Sequence, residues 1–178
     1  MTRPEPGLAH GWCALSALHG RIETYIERAL QAEHALSVRE FSVLDVLSDQ
    51  HDGEGGHFRM AQLADAVVLS QSATTRLVTR LEDRGLLARY LCPTDRRGIY
   101  TDVTEAGLAL LEQARPTNDH ALREALDAAG RRPELAPLVA AVRGLEQAQA
   151  AAQAAQAGRP VQAVQEDGAA APVPVAVG

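Results

Sequence analysis

Apolar residues recur at spacings of three and four over most of the chain, and the pattern changes to alternation in one place only. Leu8, Trp12, Leu15, Ile22, Ile26 and Ala29, with His19 on the same seam, predict a long first helix over 8–30. Ser37 with Glu40 three residues on is a capping box, and it opens a helix to Ser48 that turns Phe41, Leu44 and Leu47 inward. Met60 to Leu69 reads as a short amphipathic helix whose last residues, Val68 and Leu69, make a tight connection. Ser70 is the N-cap of the next helix, with Ala73, Leu77 and Leu81 on its core side and Gly85 suited to end it. Leu86–Leu91 and Ile99–Val103 then read as paired strands, Ile99–Val103 with clear alternation. Thr104 caps a helix to about Ala114, which Pro116 is expected to interrupt or kink, and a further segment runs to Ala129 before Gly130 and Pro133 break the chain. A last helix, Glu134 to about Ala150, carries Leu138, Val142 and Leu145 on one stripe.

Two short helices joined by a tight turn suggest a helix-turn-helix, whose second helix enters the DNA major groove. On a helical wheel Gln71, Ser72, Thr75, Arg76 and Thr79 oppose the core side, and the early ones sit where recognition helices meet base edges. Ser70, Thr74 and Arg80 complete the expected contact set. An ordinary solvated surface helix would show the same polar face. The hairpin decides between these readings, because its tip, Cys92-Pro-Thr-Asp-Arg-Arg-Gly98, is turn-rich and basic. Arg96 and Arg97 on a projecting wing suit a narrow minor groove, and Asp95 is expected to orient them by a charge-assisted pair.

These motifs in order resemble the MarR family of bacterial winged-helix regulators. The resemblance runs through Gln62-Leu-Ala64, Ser70-Gln-Ser72, Thr75-Arg-Leu-Val78, Arg80-Leu-Glu82, Arg84-Gly-Leu86, Asp95-Arg-Arg97 and Val103-Thr-Glu-Ala-Gly107. Leu36-Ser37, Glu40 and Val43-Leu44 extend it upstream, so that it covers roughly 8–145. It implies an obligate homodimer, a pseudo-palindromic duplex DNA operator, and often release by a small molecule or an oxidant. One departure is visible: the family's first motif helix usually follows a Thr or Ser cap, and Phe58-Arg59-Met60 supplies none.

The expected fold class is therefore mostly α with a small antiparallel β-hairpin wing, a winged helix-turn-helix with dimerisation helices at both ends. Residues 1–36 would be an N-terminal dimerisation helix, 37–107 the DNA-binding domain, 108–150 the C-terminal dimerisation helices, and 151–178 a low-complexity tail expected to lack fixed structure, unless its early part prolongs the last helix. A formal net charge of −6 looks wrong for a DNA binder until its distribution is read. Between Ser70 and Thr101 there are six arginines against three acids, a basic patch on an acidic body that steers the patch toward phosphate. Aromatic content of 3% makes the core aliphatic. The first residues do not read as an n-region followed by an h-region, no apolar run is of membrane length, and Cys13 and Cys92 have no CxxC spacing, so a reducing cytoplasm is expected. Trp12, Cys13 and His19 are the candidates for a ligand or redox role on the first helix. A peroxide-sensing cysteine near that position occurs in some members of the family, but an inert packing residue is the expectation for Cys13. Trp12 reads as an interface anchor and His19 as a hydrogen-bonded interface histidine. The Gly-rich Asp49–His57 loop holds two His and three acids without a ligand series, and no catalytic or cofactor motif appears: no cofactor, no metal and no enzyme activity are expected. The different-class alternative is a winged-helix protein–protein module without DNA binding, which would have no need of the basic tip.

Overall fold

The computed structural model describes residues 7–51, 58–91 and 99–157. The chain divides into two compact units, Met1–Ala140 and Ala141–Gly178. Helix α1 (Leu8–His34) runs four residues past its expected end. Its expected seam is split. Ile22 and Ile26 face the core with Leu18 and Leu30, whereas Leu8, Trp12 and Leu15 are exposed. Helix α2 (Val38–His51) begins as the capping box requires: Ser37 N–H donates to Glu40 Oε2 (2.9 Å) and Glu40 N–H to Ser37 Oγ (3.2 Å). Glu27 of α1 adds a second cap by accepting from the Val38 N–H (2.7 Å), so α1 fixes where α2 starts.

Helix α3 (Met60–Ala66) opens without a Ser or Thr cap, and the Gln62 side chain does that work by accepting from the Arg59 N–H (2.9 Å). It closes at Ala66, earlier than the apolar run implied, because Val68 adopts φ +53° and turns the chain. Helix α4 (Gln71–Asp83) is capped by Ser70 Oγ, which accepts from the Ala73 N–H (3.3 Å). Its far end is a Schellman motif: Leu86 N–H donates to Leu81 O (2.9 Å), Gly85 N–H to Glu82 O (2.8 Å), and Gly85 takes φ +71°. Strands β1 (Leu87–Leu91) and β2 (Ile99–Val103) pair antiparallel, Leu87 opposite Val103 and Arg89 opposite Thr101.

Helix α5 (Glu105–Gly130) continues through Pro116, so the expected interruption is absent. Proline removes one backbone donor, but tertiary contacts on both sides of it hold the helix. Arg115 reaches Asp45 (3.0 Å) and Ser48 (2.8 Å) of α2. The Thr117 hydroxyl donates to Glu33 (3.0 Å), leaving its oxygen to accept from His34 Nε2 (2.9 Å) of α1. Leu111, Ala114 and Ala121 are buried on the same face. Helix α6 (Ala136–Ala157) ends the described chain and extends past the expected Ala150. The main core joins Leu30, Leu44, Leu47, Leu63, Val78 and Leu81 to the first half of α5, and a smaller cluster joins Leu18 to Leu126, Leu135 and Val139.

Two backbone positions yield predictions. A Cβ on Gly107 would lie 2.3 Å from Leu86 O and 2.7 Å from Val103 Cγ1, so the start of α5 rests directly on the backbone that ends α4. Gly107→Ala should lower unfolding stability by about 2 kcal/mol or more, read as a shift of the urea midpoint at unchanged slope. Val68 is 83% exposed and left-handed, so its side chain brings strain without packing. Val68→Asn should raise stability by about 1 kcal/mol in the same measurement, since asparagine tolerates this conformation.

Candidate nucleic-acid interface

The core selects which face of α4 is presented. Thr74, Leu77, Val78 and Leu81 are all buried, a three-and-four spacing that rotates Gln71, Ser72, Thr75, Arg76, Thr79 and Arg80 outward. Thr74 therefore leaves the expected contact set. It is fully buried, and its hydroxyl donates to Ser70 O (3.1 Å). Its place in the Thr74–Leu77–Val78–Leu81 stripe was readable from spacing alone. Ser70 Oγ is occupied by its cap and lies 3.3 Å from Ser72 Oγ, and Thr75 Oγ1 donates to Gln71 O (2.9 Å), leaving its methyl and lone pairs outward. Arg76 has no hydrogen-bond or carboxylate partner among the described residues.

Two carboxylates fasten α4 from behind. Glu40, almost fully buried, accepts the Ser37 N–H and hydroxyl and faces Arg84 (3.6 Å) and Arg80 (3.9 Å). Glu82 lies 2.8 Å from Arg89 Nε, and Arg89 Nη2 donates to Thr79 Oγ1 (3.2 Å). Arg89 stands on β1, so this pair ties the first wing strand to the recognition helix. Neither Glu40 nor Arg89 was singled out from sequence as part of the interface. Glu40 was visible as a cap, but its second role spans two helices, and Arg89 sat in a strand whose pairing with α4 has no local signal. Leu69, Thr75, Arg76, Thr79 and Arg80 line one side of a groove of about 740 Å³, with Glu27, Ser37 and Arg39 on the other. Arg39 is paired with Glu23 (2.6 Å).

Asp95, Arg96 and Arg97 lie outside the described residues, as does most of the Asp49–His57 loop. Of the α1 candidates, Trp12 is exposed and lines an apolar groove with Leu8, Leu15 and Leu138. Cys13 is a free, exposed thiol, so within this chain it does not pack in a core as expected. His19 is exposed beside Glu23 (3.7 Å).

The MarR family model matches residues 35–98, which hold α2, the helix-turn-helix and strand β1. The chain is 34% identical over 107 residues to the HTH-type transcriptional regulator MhqR of Bacillus subtilis, an alignment covering 60% of this chain and 68% of MhqR. Among solved structures, CouR from Rhodococcus jostii RHA1, crystallised with p-coumaroyl-CoA, is similar at 31% identity and TM-score 0.56, over 76% of this chain and 88% of CouR. AbsC from Streptomyces coelicolor, a MarR family transcriptional regulator, is similar at 25% identity and TM-score 0.61, over 85% and 99%. The chain belongs to the MarR family: it is a DNA-binding transcriptional regulator built on a winged helix-turn-helix. The protein-interaction alternative gains no support from these relatives.

Glu40→Gln keeps the shape and removes the charge between Ser37, Arg80 and Arg84. It should cost about 1 kcal/mol of unfolding stability. In a double-mutant cycle with Arg84→Met the double variant should lose less than the sum of the two single losses, because they share one contact.

Proposed function

We propose that two copies of this chain bind a pseudo-palindromic operator and repress transcription, with residues 37–107 as the DNA-binding domain and 1–36 with 108–150 as the dimerisation helices. The observation that carries this reading is the outward face of α4, where Gln71, Ser72, Thr75 and Arg76 are exposed at the N-terminal half of a helix fixed at both ends. Gln71, Ser72, Thr75 and Arg76 enter the major groove, where donors and acceptors distinguish all four base pairs. Thr79, Arg80 and Ser70 flank them at the backbone, Thr79 and Arg80 held in place by Arg89 and Glu40. Arg96 and Arg97 occupy the minor groove, oriented by Asp95. The exposed Leu8, Trp12 and Leu15 of α1 supply an apolar face for the second copy, and burying them offsets the cost of association. A small molecule releases the dimer from DNA, a reading supported by the similarity to CouR, whose crystals hold p-coumaroyl-CoA. The protein acts in the cytoplasm, and none of the described helices is long and apolar enough to cross a membrane.

Selection from a random DNA pool gives the operator, and two substitutions then separate the contacting elements. Arg76→Ala should cost about 1–3 kcal/mol at particular operator positions and relax the preference there. Arg97→Ala should weaken binding to most sequences alike and make the salt dependence shallower by about one unit. Titrations against the operator and its single-base variants at several salt concentrations check both. Parent-like affinity of Arg97→Ala at every salt would remove the wing from the interface.

A further inference from the structure

Among the described residues, Arg39, Arg84, Arg89 and Arg115 each face a carboxylate. Away from α4, a different situation holds in the cleft between α1 and the end of α5. This cleft is about 770 Å³ and is lined by Arg21, Arg28, Arg131 and Arg132 with no acidic side chain among its lining residues. Arg21, Arg28 and Arg131 have no carboxylate or hydrogen-bond partner among the described residues, and Arg132 has only a long, exposed contact to Glu134 (3.9 Å). Arg131 and Arg132 also answer the negative end of the α5 helix dipole. That does not account for Arg21 at the middle of α1, or for Arg28 two turns further on the same face. Four positive charges facing one solvent cleft, in a chain of net charge −6, repel one another until an anion enters.

We propose that this cleft is a binding site for a small organic anion carrying at least two negative charges, as phosphate or carboxylate groups. Guanidinium forks match both groups in bidentate geometry. The volume falls in the range of small-molecule sites and exceeds what a single inorganic phosphate fills. Ala17, Ala125, Ala128 and Ala129 keep the floor small and apolar, and Tyr25 adds an aromatic flank, so the ligand has an apolar body beside its charged groups. The site stands whether or not its ligand is the molecule that releases DNA.

The test is calorimetric titration of the full chain, without DNA, with pyrophosphate and separately with citrate at low ionic strength. Binding of one anion per chain, weakened by added salt, is the expected result, and the tighter of the two probes tells phosphate from carboxylate chemistry. Arg21→Ala and Arg131→Ala should each weaken binding about ten-fold, the loss of one charge-assisted contact. Arg21→Lys should recover part of that loss, since it restores charge but not the fork. Operator affinity without anion should be parent-like in all three variants. The proposal is overturned if neither probe binds, or if binding is indifferent to Arg21 and Arg131. It is also overturned if Arg21→Ala or Arg131→Ala changes the oligomeric state in sedimentation, for then a second copy occupies the cleft.

Discussion

The interface depends on a packing constraint: α4 can be rotated about its axis in only one way. Thr74, Leu77, Val78 and Leu81 make a stripe the core accepts, and a shift of one residue would bring Arg76 or Thr79 into it. Burying an unpaired guanidinium costs several kcal/mol, so the alternative rotation is excluded by energy. Thr74 shows how tight the constraint is. A hydroxyl enters the core only because the Ser70 carbonyl stands four residues back to accept its proton. The polar outer face thus follows from the apolar inner one, and the caps at Ser70 and Gly85 fix where along the axis that face begins and ends.

The elements were largely legible in the sequence because each carried a local signature. The Ser37–Glu40 box, the Ser70 cap, Gly85 and the alternation over Ile99–Val103 are all short-range features, and each appears where it was expected. What was not legible depends on distant partners. Pro116 reads as a break, and only contacts from Glu33, His34, Asp45 and Ser48, more than sixty positions away, keep the helix intact. The first-helix seam read as one stripe, but only its lower part meets the core, so Ile26 is buried with Ile22 and Ala29 packed beside it, while Leu8, Trp12 and Leu15 are exposed. The wheel placed Gln71, Ser72, Thr75, Arg76 and Thr79 on the outward face, where they are exposed; Thr74, added to the contact set beside them, is buried, and the wheel had no means of finding Glu40 or Arg89 behind the helix.

Acidic side chains in this chain serve largely as fasteners. Glu23 and Glu27 hold the start of α2, Glu33 holds α5, Glu40 and Glu82 hold α4 and the wing strand. The pairs of Glu23 with Arg39, Glu40 with Arg84 and Glu82 with Arg89 each neutralise an arginine and mark it as structural. Among the described residues the arginines left over are Arg76 on α4, Arg21, Arg28 and Arg131 in the cleft, and Arg123 on α5. Net charge conceals this division, since it counts a fastened guanidinium and a free one alike.

Helix α5 has mechanical significance beyond its role as core. At 26 residues it is about 39 Å long. One end rests on the backbone that terminates α4, and the other supplies Arg131. A proline near the midpoint would ordinarily be the place where such a rod flexes. Here the residues on either side of it are gripped by two other helices, so the rod is stiff at its weakest point. Pivoting about that grip, a tilt of about 5° would carry the Glu105 end through roughly 1.5 Å, from twelve residues at about 1.5 Å each. That displacement is half the length of a hydrogen bond. A hydrogen bond is made or lost over that distance, so the grip beside Pro116 is what keeps the Glu105 end in register with the backbone that ends α4.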